Sequence, residues 1–537
     1  MLKLSDIKLA EQYDNPGLRK IAAGVLGISE HLINDLSIYK LSVDARRKNG
    51  VRFICTMLIE VGGEQAILGK NLPNVSAYYP AERYEFPPVR AAGGAAAQPP
   101  VIAGMGPAGL FAALALAESG IECVILERGS MLEQRVSDVD SFFRGGTLSE
   151  SSNVQFGEGG AGTFSDGKLS TGISDKRIRY VLERLVQFGA PDDILYLSKP
   201  HIGTDKLRGV VKAIRNRLTE LGCDIRFGHK LADIDISGGS LRNLTIDNGG
   251  TIYNLPADTL ILAPGNSARD TFEMLSRRGV KLAPKDFSVG VRIEHLQSDI
   301  DNAQYGRAAI SSGAKLPASD YKLAAHLKGG RSVYSFCVCP GGQVISAASE
   351  QGGVVTNGMS HYARDGKNCN GALLVNVTPD DFGYGPLDGV EFQRKLERAA
   401  FNGGGGEYLA PVQSAGDFLK KRASTGCEKI TPTYRPGVRY CNLWDILPEF
   451  ICGALAAALP EFSKRVNAFS YPGAILTGVE TRSSSPVRIL RENFEAVGIS
   501  GIFPCGEGAG YSGGIISSAV DGIKCAEYAA KRQFRAV

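Results

Sequence analysis

Apolar and polar positions along this chain change period several times, and those changes divide it. Over residues 18–26 the apolar side chains recur at helical spacing, whereas residues 36–45 and 51–61 alternate apolar with polar, the period of half-buried strands. Asn49-Gly50 between them is the pair favoured by a type I′ hairpin. A small α+β domain over residues 1–70 is expected, followed by a Pro-, Ala- and Gly-rich linker over 71–97. Next, a short apolar strand at 101–103 leads into an Ala/Leu-rich helix and a second apolar strand that ends at Glu127, a βαβ unit. Helical periodicity over 176–188 and 205–221, a strand pair, a hairpin about Asn248-Gly249 and an apolar strand at 260–263 continue the pattern.

The texture changes near Phe287. Strands are expected at 288–294, 333–338, 343–348 and 372–378, with Pro340-Gly341-Gly342 as a hairpin turn and helices at 391–401 and 445–459. This reads as an inserted α+β domain with a mixed β-sheet, residues 286–485, on the substrate side. A strand at 501–504, a glycine turn and a helix then return to the first texture. Residues 98–285 and 486–537 are thus expected to form one α/β domain.

The turn of the βαβ unit carries Gly104, Gly106 and Gly109 in G-x-G-x-x-G spacing. Gly104 permits the tight turn, Gly106 lets backbone approach a pyrophosphate, and Gly109 lets helix and strand pack closely. Glu127 stands where an acid accepts from both hydroxyls of an adenosine ribose, which disfavours a 2′-phosphate. A second G-x-G-x-x-G, at Gly157, Gly159 and Gly162, follows polar residues instead of a strand and is not expected to form another such unit. The glycine-rich section around it mixes Phe156, Phe164, Thr163, Ser165 and Lys168, a composition that favours order around a ligand.

Composition narrows the function classes. Hydrophobic residues make up 43% and charged residues 22%, as in ordinary globular chains. Sixty basic against 56 acidic side chains, net +4, make no case for nucleic acid or membrane. A start rich in charge and no membrane-length apolar run suggest a cytoplasmic protein. Eleven cysteines without framework spacing suit free thiols, and six histidines form no metal-like cluster, so no metal is expected. The 66 glycines exceed the usual ~7%, as loops wrapped around a large ligand would require.

Three separated pieces, GMGPAG with Glu127, LILAPGNSARD and GIFPCGEGAGYSGGI, look like the scattered FAD sites of the glutathione-reductase-type, two-dinucleotide-fold flavoproteins. Within that group, GEGGAGTFSDGKLSTG, CVCPGGQV, VTNGMSHYARDGKN and GVETRSSSPVRI together resemble one bacterial family closely, the uncharacterised FAD-dependent, or NAD(FAD)-utilising, dehydrogenases. The resemblance covers essentially the whole chain. It implies a Rossmann-like FAD-binding domain with FAD as cofactor. Gly104, Gly106, Pro107, Ala108 and Gly109 would hold the diphosphate, with Glu127, Arg128 and Arg135 beyond them. Gly160, Thr163, Phe164, Ser165, Lys168 and Leu169 would wrap the cofactor, as would Lys230 and Leu231. Ala263, Pro264 and Gly265 would close over it, while Gly506, Glu507, Gly513, Gly514 and Ile515 would lie along the ribityl chain and ring. The wider group carries Asp where this chain has Glu507, one methylene longer.

Catalytic candidates are Cys337, Cys339, His361, Arg482 and Tyr511. In a C-x-C on one strand, Cys337 and Cys339 would face the same side and could pass electrons to a flavin. The helix after the first glycine turn lacks the cysteines that disulfide reductases of this superfamily place there, which disfavours that activity. His361 stands among Ser360, Tyr362, Arg364 and Asp365, a setting for an acid or base. Arg482 could bind an acidic substrate or pair with a carboxylate, and Tyr511 could cap the ring. No second strand–glycine turn–helix is present, so NAD(P)H as electron donor would dock transiently at the open flavin face. The preferred expectation is an FAD-dependent oxidoreductase acting on a small metabolite. Alternatives are an RNA-associated flavoprotein, binding through Arg46, Arg47 and Lys48, and a non-catalytic FAD-binding sensor.

Overall fold

The computed structural model describes residues 1–9, 14–46, 50–87, 89–90, 98–311, 316–533 and 535–536. The first domain is a four-stranded antiparallel sheet in the order Ile33–Asp44, Arg52–Val61, Leu2–Leu9, Val75–Ala77. Alternation in Arg52–Val61 buries Phe53, Cys55, Met57, Ile59 and Val61 on one face. The helix Asn15–Leu26 covers that face with Leu18, Ala22, Ala23 and Leu26. Asp14 caps it by accepting from the Gly17 N–H at 2.8 Å, and Gly27, at φ +62°, ends it. Arg46 pairs with Asp44 at 2.7 Å; Arg47, Lys48 and Asn49 lie outside the described residues, as do residues 91–97 of the linker. This domain docks on the rest through Leu41, whose N–H donates to Tyr196 O and whose carbonyl accepts from Ser198 N–H.

The second domain is built on a five-stranded parallel sheet in the order Ile502–Pro504, Leu260–Leu262, Val101–Ala103, Val124–Glu127, Asp224–Phe227. The chain works outward from Val101–Ala103 in one direction and later returns on its other side. The carboxyl end of that strand is therefore the place where ligands of open α/β sheets bind. The helix Pro107–Glu118 is apolar all round and is buried from Ala108 to Ala117. It packs against the last helix, Ile515–Gln533, so closely that a Cβ on Gly522 would lie 2.0 Å from Ala108 O. A three-stranded antiparallel sheet, His229–Ser237, Ser240–Asn248 and Thr251–Pro256, covers the other face.

The chain crosses into the inserted domain at Leu282–Pro284 and returns at Val487–Ile489, and the two crossings pair as antiparallel strands. Between them lies a seven-stranded sheet ordered Ala324–His326, Ser332–Cys339, Asn368–Val377, Phe287–Leu296, Ile475–Glu480, Ala410–Ser414, Val438–Tyr440. The helix Glu449–Ser463 packs over it. One expectation is corrected here: Pro340-Gly341-Gly342 is not a hairpin turn. The strand before it pairs with Asn368–Val377, whereas Gln343–Ser346 after it pairs with Thr356–Met359 in a separate two-stranded sheet. Among the described residues no helix is long and apolar enough to cross a membrane, and no group of side chains is arranged to hold a metal. All eleven cysteines are free.

Candidate functional site

At the switch point a cavity of about 380 Å³ opens, within the roughly 300–1,000 Å³ of small-molecule sites. Its walls come from Gly104, Gly106, Pro107 and Ala108, from Ala263, Pro264 and Gly265, and from Gly506, Glu507, Gly513, Gly514 and Ile515. Three stretches far apart in sequence thus meet at one surface, because each ends a strand of the parallel sheet at the same edge. Gly160, Ser165 and Lys168 of the glycine-rich section join them, as do Glu127, Arg128 and Leu231. Phe336, Cys337, Asn357, Glu480, Arg482 and Ser483 enter from the inserted domain.

The glycines divide into those that pack and those that face the cavity. A Cβ on Gly104 would lie 2.1 Å from Ala263 O, and one on Gly109 1.9 Å from Gly104 O, so both are required for close packing. At Gly106 the nearest atom, Gly160 Cα, would be 3.8 Å away, and around Gly265 and Gly513 nothing lies within 4 Å. These bare backbone positions form a cradle open to an elongated ligand. Gly106 precedes Pro107 at the start of the 12-residue helix Pro107–Glu118, where free N–H groups and the helix dipole favour an anion. The 19-residue helix Ile515–Gln533 points its own N-terminus at the same cavity.

Glu127, 4% exposed, accepts from the N–H groups of Met105 at 2.8 Å, Gly129 at 2.9 Å and Gly157 at 3.0 Å. It thereby ties both glycine turns to the strand end while still bordering the cavity. Arg128 next to it donates to Asp270 at 2.9 Å and lies over the Phe156 ring.

Several expected cofactor residues do not line the cavity. Arg135 is fully buried and donates to the carbonyls of Asn153, Glu158 and Val154, holding the glycine-rich section from behind. Phe164 is buried between Arg135 and Arg208, and the Thr163 hydroxyl donates to Glu158 O. Leu169 belongs to the core around the helix Pro107–Glu118, and Lys230 lies 3.8 Å from Asp247 and from Asp270. Gly109 contributes packing alone.

The catalytic candidates separate in the same way. His361 is exposed and away from the cavity, and Tyr511 packs beneath Arg491, 3.8 Å from its ring centroid, instead of capping a ligand. Arg482 borders the cavity, but its guanidinium is taken by Glu397, at 2.8 and 3.1 Å, and by Ser349. Cys337 lines the cavity while Cys339 is wholly buried behind it, so the two are not equivalent positions of a flat strand. A bulge between Phe336 and Cys339 separates them.

Two carboxyl groups here titrate near neutrality. Burial pushes Glu507 up to about 7, opposed by a 2.7 Å hydrogen bond from Asn266 and by Lys285. Burial likewise pushes Glu480 up to about 7, against the pull of Arg292 at 3.1 Å. Asp166 is also buried, yet Lys168 at 2.7 Å and Arg364 at 2.6 Å hold it well below the usual carboxylate range. Asn266, Asp166 and Glu480 were not singled out from sequence. Asn266 sits inside the quoted LILAPGNSARD and Glu480 inside GVETRSSSPVRI, so the motifs contained them, but nothing in one sequence marks which polar residue of a loop turns inward.

Residues 286–483 match a family described as FAD-dependent protein, C-terminal domain-like, and residues 1–60 match a domain of unknown function. An uncharacterised protein of Clostridium beijerinckii is 44% identical over 532 residues, covering 98% of each chain. Among solved structures, a 3-ketosteroid-Δ4-(5α)-dehydrogenase of Rhodococcus jostii is 13% identical, with a TM-score of 0.36 over 83% of this chain and 99% of its own. A flavoprotein/dehydrogenase of Cytophaga hutchinsonii is 14% identical, with a TM-score of 0.33 over 81% and 78%. Both are loose likenesses. The chain belongs to the family of the Clostridium beijerinckii protein, and the match over its inserted domain marks it as an FAD-dependent flavoprotein.

Proposed function

We propose that the cavity holds FAD in the extended arrangement of the glutathione-reductase-type flavoproteins and that the protein is an oxidoreductase acting on a small molecule. The diphosphate would lie at Gly106 and the helix Pro107–Glu118, the adenosine toward Glu127, and the ring toward the inserted domain. What carries this reading is that one cavity is walled jointly by three glycine turns and by side chains of a second domain. Bound FAD supplies two-electron transfer. The protein's own residues supply the rest: Lys168 presents a positive charge at the cavity wall, and Glu480, raised to about 7 by burial, can hold or release a proton at the same wall. NADH or NADPH is proposed as a transient donor, since the fold offers one dinucleotide turn.

Anaerobic mixing of the FAD-loaded protein with each nucleotide tests this. Bleaching of the visible flavin band by one of them is expected. A band that neither nucleotide bleaches would overturn the donor assignment, and a folded protein that takes up no FAD would overturn the whole reading.

A further inference from the structure

At the cavity wall two cysteines of the inserted domain meet Lys168 of the glycine-rich section, in an arrangement that substrate binding alone does not explain. At the bulge in Ser332–Cys339, Cys337 takes φ +42°, a left-handed conformation that residues other than glycine rarely adopt. The bulge leaves Cys337 at the cavity wall and Cys339 directly behind it, where the Cys339 thiol also approaches Cys337 O at 3.4 Å. Lys168 Nζ lies 3.6 Å from Cys339 Sγ, and Arg292 Nη2 lies 3.8 Å from that sulfur and 2.7 Å from Cys337 O. Lys168, Arg292 and Arg364 here face two acids, Asp166 and Glu480. Even with both acids ionised, three cations exceed them by one positive charge, which a single thiolate would neutralise.

Resting on the reading of the cavity as the FAD site, we propose that Cys337 and Cys339 are a dithiol–disulfide couple that exchanges two electrons with bound FAD. The pair would act as a second redox centre between flavin and substrate. In the reduced pair, one sulfur is a thiolate and the other a thiol. Their sulfurs join in an S–S bond, the S–H bond of the thiol breaks, and two electrons and that one proton pass to oxidised FAD. This yields the singly protonated reduced flavin with no further reactant. The cations beside the sulfurs favour the thiolate that such exchange requires. Consistent with this, the neighbouring Cys339 side chain draws the Cys337 thiol well below its ordinary range, with Lys168 and Arg292 adding to the effect, while Cys339 is raised. The substrate class that fits is one reduced or oxidised by thiol exchange at the half-buried Cys337 on the cavity wall.

The test begins by measuring FAD content, so that loss of the cofactor is distinguished from loss of the couple. The air-oxidised, FAD-loaded protein is then titrated anaerobically with dithionite. Alkylation and mass spectrometry follow the peptide that contains both cysteines. Wild type should consume twice the reductant per FAD that Cys337→Ser or Cys339→Ser consumes. Its peptide should be unlabelled and two hydrogens lighter before reduction, and doubly labelled after it. Cys123→Ser, which removes one thiol of a separate close pair, Cys123 and Cys223 at 3.5 Å, should titrate as wild type. If FAD is bound but wild type and Cys339→Ser consume equal reductant, with both cysteines labelled throughout, the proposal is overturned. The same holds if Cys123→Ser abolishes the extra uptake.

Discussion

The side-chain amide of Asn266 donates to Glu507 at 2.7 Å and to the carbonyl of Arg482 at 3.2 Å. One residue of the middle glycine turn thus ties the C-terminal turn to the inserted domain at the cavity wall. The Glu507 carboxylate reaches this amide while still bordering the cavity.

The pH dependence of the FAD-free protein follows from Glu507 and Glu480. Both are raised from about 4.5 to about 7, so between those values they are protonated in the fold and ionised in the unfolded chain. Their stabilisation is complete below about pH 4.5 and is lost as pH rises through 7, by roughly 3 kcal/mol for each group over the whole span and about 2 kcal/mol between pH 5.5 and 8. Urea unfolding at pH 5.5 and pH 8 should show the fall, and the Glu480→Gln/Glu507→Gln double variant should flatten it. An unchanged slope in that variant would contradict the assignment.

Glu397 lies between two buried guanidiniums, Arg269 at 2.7 Å and Arg482 at 2.8 Å, and joins the parallel-sheet domain to the inserted one. Glu397→Gln would leave two buried positive charges with too little compensation. A loss of about 3–5 kcal/mol in unfolding free energy is expected by denaturant titration; a loss below about 1 kcal/mol would show that the network does not hold the domains together.

Arg135 donates to three buried carbonyls of the glycine-rich section. Arg135→Met should orphan them and lower stability by several kcal/mol, at about 1–3 kcal/mol per unpaired group. Limited proteolysis should then cut within residues 149–160 in the variant and leave that segment intact in wild type. Equal protection in the variant would return Arg135 to a role at the ligand.

Much of this architecture was legible because it rests on local rules. The turn at Gly104, Gly106 and Gly109, the acid at Glu127 and the return strand are fixed by spacing within one βαβ unit. The alternation of 52–61 is fixed by one face being buried. What escaped depended on long-range pairing. Pro340-Gly341-Gly342 has the chemistry of a hairpin turn, but the strand before it is claimed by Asn368–Val377, which no local pattern announces. Arg135 and Cys339 have polar or reactive side chains near glycine-rich motifs, yet both point into the interior, where carbonyls and cations satisfy them. Asn266 and Glu480 acquire significance only when three distant segments meet.

In the proposed complex Gly106 faces the FAD diphosphate, whereas Gly109 serves helix packing. A Cβ at Gly106 would meet nothing closer than Gly160 Cα at 3.8 Å, and the residue's φ of −79° suits any side chain. The most direct measurement is therefore the FAD affinity and thermal stability of the Gly106→Val protein, stripped of cofactor and titrated with FAD. The expected result is an unchanged melting temperature of the FAD-free protein with affinity reduced at least 100-fold. Wild-type FAD affinity in a normally folded Gly106→Val protein would contradict it.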